Sequence, residues 1–397
     1  MKFIFPVLAA AGLVMAAHVS TLNPKQELVF AEKQLTLADE ARKSTDLIPH
    51  SLNADGSLRD MKTEWWCSGF FSGNLWYLYE YSKNPKMKEL AEKWTAPVAK
   101  EQYNTHTHDL GFMLYCSFGN GYRLTKKPEY RDVLLNGAKS LATRFDPKVG
   151  LIKSWDGFKS RDGKRYDYPV IIDNMMNLEF LFWAAKESGN KIYRDICITH
   201  ADNTMKNHFR PDGSSYHVVC YGPNGEVLLQ TTHQGYLPES AWARGQAWGL
   251  YGYTVMYRET KDRKYLDMAQ KIAKFYLNHP NLPADKIPYW DFNAPNLPNQ
   301  ERDASAGAIT ASALLELSQY ITGAASKEYF KAAGQMLTSL SSPAYRAKLG
   351  ENGDFILKHS VGHKTGGSEI DVPLVYADYY YIEGLMRYDT LKKKASK

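Results

Sequence analysis

Cysteine is scarce in this chain, with four residues in 397. Cys67, Cys116, Cys197 and Cys220 show neither close pairing nor zinc-ligand spacing. A chain this long buries enough apolar surface to fold without disulfide staples, so buried free thiols are expected even in an oxidising compartment. There is no basic block of the kind that binds nucleic acid. The formal charge of +6 is spread over interspersed residues of both signs, which gives a mild attraction for anionic ligands and no nucleic-acid partner. After the first twenty residues no run is apolar enough to span a bilayer. His106-Thr107-His108 has the spacing of a metal-binding pair. No matching set of ligands occurs elsewhere, so a site without metal or organic cofactor is expected.

What is present begins with Met1-Lys2-Phe3-Ile4-Phe5-Pro6 and an apolar stretch to about Ala17. One basic residue, a short apolar core and a small-residue end are the grammar of a secretory signal peptide. The expectation is a leader over about 1–20, followed by a soluble exported protein, periplasmic in a Gram-negative host. No cysteine at the expected cleavage point suggests a lipid anchor.

Along the remaining chain one pattern recurs. Apolar helices rich in aromatics, Gly and Ala end in similar turns: Ser82-Lys83-Asn84-Pro85, Thr125-Lys126-Lys127-Pro128, Ser188-Gly189-Asn190 and Thr260-Lys261-Asp262. A looser fifth is Thr322-Gly323. After each turn comes a helix with one apolar stripe. Helices apolar on most faces are buried and single-stripe helices lie outside. This gives six inner helices, starting near Trp66, Asp109, Asp173, Ala243, Asp303 and Asp371, and six outer ones. The predicted fold is all-α, an (α/α)6 barrel in a single domain over 21–397, with two separate helical domains as the alternative.

Short turns would close one end of such a barrel, and long Gly/Pro-rich loops would crown the other. The inner-helix N-termini at that crown carry Trp65-Trp66, His108-Asp109, Asp173-Asn174, Arg244 and Gln246, and Asp371. A single Asp in such a place is more often a helix cap than a catalyst. The histidines, arginine and tryptophans gathered at the same end are not explained by capping and point to a pocket. Asp109 and Asp173 form a carboxylate pair, as glycosidic chemistry requires when one pKa is pushed up. Trp155 lies in a Gly/Asp-rich loop, where sugar stacking explains it better than core packing. His217 and Gln234 belong to the long excursion before the fourth inner helix. Arg244 and Trp248, one turn apart, share a face. An arginine there suits a carboxylate ligand, and the bland alternative is an ion pair with Glu239. His200 and His279 read as structural.

At these residues the sequence resembles the unsaturated glucuronyl hydrolases of glycoside hydrolase family 88. The matching stretches are His108-Asp109-Leu110-Gly111-Phe112, Tyr168 through Asn177, His233-Gln234-Gly235-Tyr236, Ser240 through Gly249, Pro288 through Phe292, and Asp303-Ala304-Ser305-Ala306. They span nearly all of the chain beyond the leader. The resemblance implies an (α/α)6 barrel and hydration of the C4=C5 enol ether that a polysaccharide lyase leaves on a terminal uronic acid. It implies Asp173 as general acid and base and Asp109 as the partner carboxylate. It further implies polar contacts from His108, His217 and Gln234, a substrate contact from Arg244, and stacking surfaces in Trp66, Trp155 and Trp248. Some relatives bind substrate sulfate through a Ser/Lys-bearing loop before the last inner helix. The loop here, Ser360 to Ser368, does not align with such a motif, though Ser368 is placed among the substrate contacts. The expected partner is an unsaturated, variably sulfated uronate oligosaccharide, and the expected state is a monomer with no membrane partner. The rival readings are an unsaturated rhamnogalacturonyl hydrolase, an inverting glycosidase acting on saturated sugars, and a non-catalytic glycan-binding protein.

Overall fold

The computed structural model describes residues 22–395; the leader expected over 1–20 lies outside them. Six inner helices form a closed ring. They are Phe70–Ser82, the pair Gly111–Gly119 and Asn120–Thr125, the pair Ile172–Asn177 and Leu178–Ser188, then Ala243–Thr260, Ala304–Leu317 and Val375–Ala395. Each packs against the next, and the last returns to the first. Six outer helices surround them, Pro24–Glu40, Pro85–Thr95, Pro128–Ala142, Lys191–His208, Arg263–Asn278 and Gly323–Leu340. This is the (α/α)6 barrel. Among the described residues no helix is long and apolar enough to cross a membrane, and all four cysteines are buried and unpaired.

The repeated turns have a common physical basis. Lys83, Lys126 and Lys261 end their inner helices in the left-handed conformation, with φ of 59°, 58° and 58°. Each donates its backbone N–H to the carbonyl of a tyrosine four residues back, Tyr79, Tyr122 or Tyr257, and lays its ammonium over that ring. Gly189 takes the same left-handed place at the third turn, where no side chain has to be accommodated. Asn84, Asn190 and Asp262 then cap the following outer helix through their side-chain oxygens.

The helix starts differ from expectation at two places. Trp66 lies in the turn before Phe70, and Asp371 lies in the strand Ser368–Val372, four residues before its helix. Asp371 is paired with His359 at 2.6 Å on the surface. The long connections also carry hairpins absent from the helical reading. Ile48–Leu52 pairs with Leu58–Met61, Ser360–His363 pairs with Ser368–Val372, and Tyr168–Ile171, Val218–Tyr221 and Val227–Thr231 form a three-stranded antiparallel sheet. These crown the N-terminal ends of the inner helices.

At the turn end the barrel axis holds a second cavity of about 350 Å³, organised by Glu383. Its carboxylate accepts from Tyr77 (2.7 Å), Tyr251 (3.0 Å) and Ser312 (2.5 Å) and pairs with Arg387 at 3.2 Å. These groups satisfy one another, which suits a polar plug rather than a binding site. Glu383→Gln keeps the shape but puts an amide N–H₂ where donors converge. Chemical denaturation should show a loss of about 1–3 kcal/mol, with steady-state kinetics unchanged.

Candidate active site

The crown surrounds a cavity of about 380 Å³. Its lining includes Trp66, His108, Asp109, Trp155, Asp173, Gln234, Arg244 and Ser368, together with Arg59, Glu64, Trp65, His233, His363, Glu369 and Tyr376. Two expected members are not on that wall. His217 and Trp248 are buried and meet Asp173 from behind. Trp248 packs on Phe112 and Tyr380, so it is not an open stacking surface. Its place on an inner helix, four residues after Arg244, turns its ring into the barrel core.

Asp109 and Asp173 are clamped together by two asparagines one turn apart. Asn174 Oδ1 accepts from His108 Nδ1 at 2.9 Å, and Asn177 Oδ1 accepts from the Gly111 N–H at 2.9 Å. A Cβ on Gly111 would sit 2.6 Å from Asn177 Oδ1, so this contact requires glycine. The Asn174 amide also donates to the Ile152 carbonyl and to Ser154 Oγ, which fixes the loop presenting Trp155. His108 keeps Nε2 3.3 Å from Asp109 Oδ1, and Thr107 donates to Asp109 Oδ2 at 2.6 Å.

Strand register places His217. Ile171 pairs with Val218, and the Ile172 N–H reaches the His217 carbonyl at 3.0 Å, so His217 falls beside Asp173. His217 Nδ1 accepts from the backbone N–H groups of His233 and Gln234, at 3.3 and 3.1 Å. The ring proton is therefore on Nε2, which faces Asp173 Oδ2 at 3.7 Å. Burial holds the His217 pKa well below its ordinary value, so this ring is neutral and the contact is not an ion pair. Asp173 Oδ2, His217 Nε2 and Trp248 Nε1 are all buried without a hydrogen-bond partner. The indole lies close enough to favour the ionised Asp173 but falls short of bonding geometry. Burial is the largest influence on Asp173 and raises its pKa to about 7; Arg244 opposes it, and the charge of Asp109 adds to it.

Arg244 lines the cavity and spends both terminal nitrogens on the protein, while its buried Nε has no hydrogen-bond partner. Its guanidinium lies between the rings of Trp242 and Tyr376, at 4.6 and 5.3 Å. It donates to the Val361 and Gly362 carbonyls and pairs with Asp303 at 3.2 Å, both side chains being buried. The ion pair expected as the bland alternative is made with Asp303 rather than with Glu239, which is exposed. Gln234 likewise donates to the Gly362 carbonyl at 2.8 Å. Both side chains tie the hairpin before the last helix to the pocket wall. Among the described residues no cluster suited to a metal ion occurs.

The fold and this paired-carboxylate pocket define an (α/α)6-barrel glycoside hydrolase. Residues 41–391 match Glycosyl Hydrolase Family 88, and the chain belongs to that family. It is 48% identical to an unsaturated glucuronyl hydrolase of Formosa agariphila, over 93% of both chains. It is 34% identical to an unsaturated chondroitin disaccharide hydrolase of Streptococcus pyogenes, over 91% of this chain and 90% of the other. The crystal structure of an unsaturated glucuronyl hydrolase specific for heparin is similar with a TM-score of 0.89 and 51% identity, covering 93% of this chain and 98% of that one.

Proposed function

We propose that this glycoside hydrolase releases 4,5-unsaturated uronic acid from the non-reducing end of lyase-generated glycosaminoglycan-type oligosaccharides by hydrating the C4=C5 bond. The observation that carries the chemistry is a carboxyl pair of which Asp173 is the buried, pKa-raised member. Asp109 and Asp173 open into one cavity, and burial holds Asp173 near pKa 7, where a carboxyl group can deliver a proton at neutral pH.

In this reading protonated Asp173 gives its proton to C4, and the enol-ether π electrons form the new C4–H bond. The positive charge left on C5 and the ring oxygen is quenched by water. Asp173, now a carboxylate, takes the proton that water releases. The His217 and Trp248 N–H groups behind Oδ2 stabilise that transient carboxylate. The resulting hemiketal opens and frees the aglycone. Trp66 and Trp155 offer faces to the sugar, and Arg244 and Gln234 position the wall. Thr107 holds Asp109 by a hydrogen bond, His108 stands beside it on the wall, and Ser368 offers a hydroxyl at the wall.

The reading is tested on a lyase-generated unsaturated glucuronyl-hexosamine disaccharide by loss of the conjugated alkene's ultraviolet absorbance. An unsaturated galacturonyl-rhamnose disaccharide and a saturated glucuronide serve as comparisons. Preferential turnover of either comparison would overturn it. The pH profile gives a further prediction. Activity needs protonated Asp173, so kcat/KM should fall above about pH 7. Asp109→Asn removes a neighbouring negative charge and so lowers the Asp173 pKa. In its residual activity the alkaline limb should move to lower pH.

A further inference from the structure

We propose that Arg59 recognises an anionic substituent, such as a sulfate, on the aglycone sugar. This inference rests on the substrate class proposed above. Arg59 lies on the strand Leu58–Met61 and lines the cavity with its side chain 28% exposed. Glu64, exposed, and Trp65, half-buried, line the same cavity. The reacting uronate must reach Asp173, whose side chain is 10% exposed, so the aglycone occupies the outer part of the cavity, where Arg59 is.

The guanidinium there is unspent. Its charge partner, Glu369, stands 3.6 Å away, beyond hydrogen-bond range. The Glu369 oxygen nearest Arg59 is already taken by His50 Nε2 at 2.5 Å, and His50 Nδ1 faces Cys67 Sγ at 2.9 Å. The carboxylate folds over Gly362, where a Cβ would lie 1.9 Å from Glu369 Oε2. Glu369 is thus locked by the fold and holds Arg59 by charge alone, leaving its N–H fork for a ligand. That fork matches the paired oxygens of a sulfate or carboxylate. The contrast with Arg244 is direct, because that guanidinium is buried and bonded to the protein. An aglycone sulfate and the uronate carboxylate present similar oxygens to a guanidinium, and the experiment separates them.

Wild type, Arg59→Gln and Arg59→Lys would be compared on two unsaturated disaccharides that differ only by an O-sulfate on the hexosamine. For Arg59→Gln the expected result is at least a tenfold rise in KM on the sulfated disaccharide, with kcat retained. Both constants should stay within about threefold on the unsulfated one. Arg59→Lys should fall between. An equal loss on both disaccharides would assign Arg59 to the uronate or to the wall and overturn the proposal. So would an unchanged KM on the sulfated disaccharide, or a wild type that rejects it. A wild type inactive on both disaccharides would refute the proposed function itself and this proposal with it.

Discussion

Asp173→Asn is expected to lower kcat/KM about 10³- to 10⁴-fold, with the unfolding midpoint close to wild type. The size follows from the role, since a positioned general acid and base contributes at most about 10⁴-fold. The fold should survive because the carboxyl makes no hydrogen bond at Oδ2 that an amide would forfeit. Removing a buried ionisable group whose pKa is raised to about 7 also relieves the cost of charging it there. Substrate binding, measured by calorimetry with the inactive variant, should persist. Activity within tenfold of wild type would remove Asp173 from the mechanism.

Arg244→Met is expected to unfold more easily by about 3–5 kcal/mol, because it strands a buried carboxylate. Asp303 is completely buried, and it also caps the helix Ala304–Leu317 by accepting from the Ser305 N–H at 3.1 Å. The same substitution frees the Val361 and Gly362 carbonyls, so the hairpin that bears Glu369 and Ser368 should loosen and activity should fall. Arg244→Met combined with Asp303→Asn removes the stranded charge while keeping a capping oxygen, and should regain part of the lost stability. Denaturant titration of the single and double variants checks both points. A stable Arg244→Met protein with only weakened substrate affinity would mean that Arg244 serves the ligand rather than the wall.

The barrel was legible because its signals are local. Lys83-Asn84, Lys126-Lys127 and Lys261-Asp262 report a left-handed helix end followed by a new helix start, and both are set by a few neighbouring residues. The cavity's floor was legible for the same reason, since Asp109 and Asp173 sit at helix starts. What could not be read depends on distant pairings. His50 and Glu369 are 319 positions apart and meet only because two crown hairpins pack together. Arg244 and Asp303 lie on neighbouring inner helices, so Glu239, nearer in sequence, was the wrong partner. His217 reaches Asp173 through sheet register, and helical periodicity carries no trace of it. Trp248 shows the limit of spacing arguments: one turn from Arg244 it shares the face, yet it lies a layer deeper, under the carboxyl rather than on the pocket wall.

The central claim is that chemistry occurs at the C4=C5 bond and not at the anomeric carbon. Turnover of the unsaturated disaccharide in heavy water, followed by NMR of the first product, tests it directly. If Asp173 delivers a solvent-exchanged proton to C4, the released uronate carries deuterium at C4 from the earliest time points. Absence of deuterium at C4, with efficient cleavage of a saturated glucuronide, would show attack at the anomeric carbon and contradict the account.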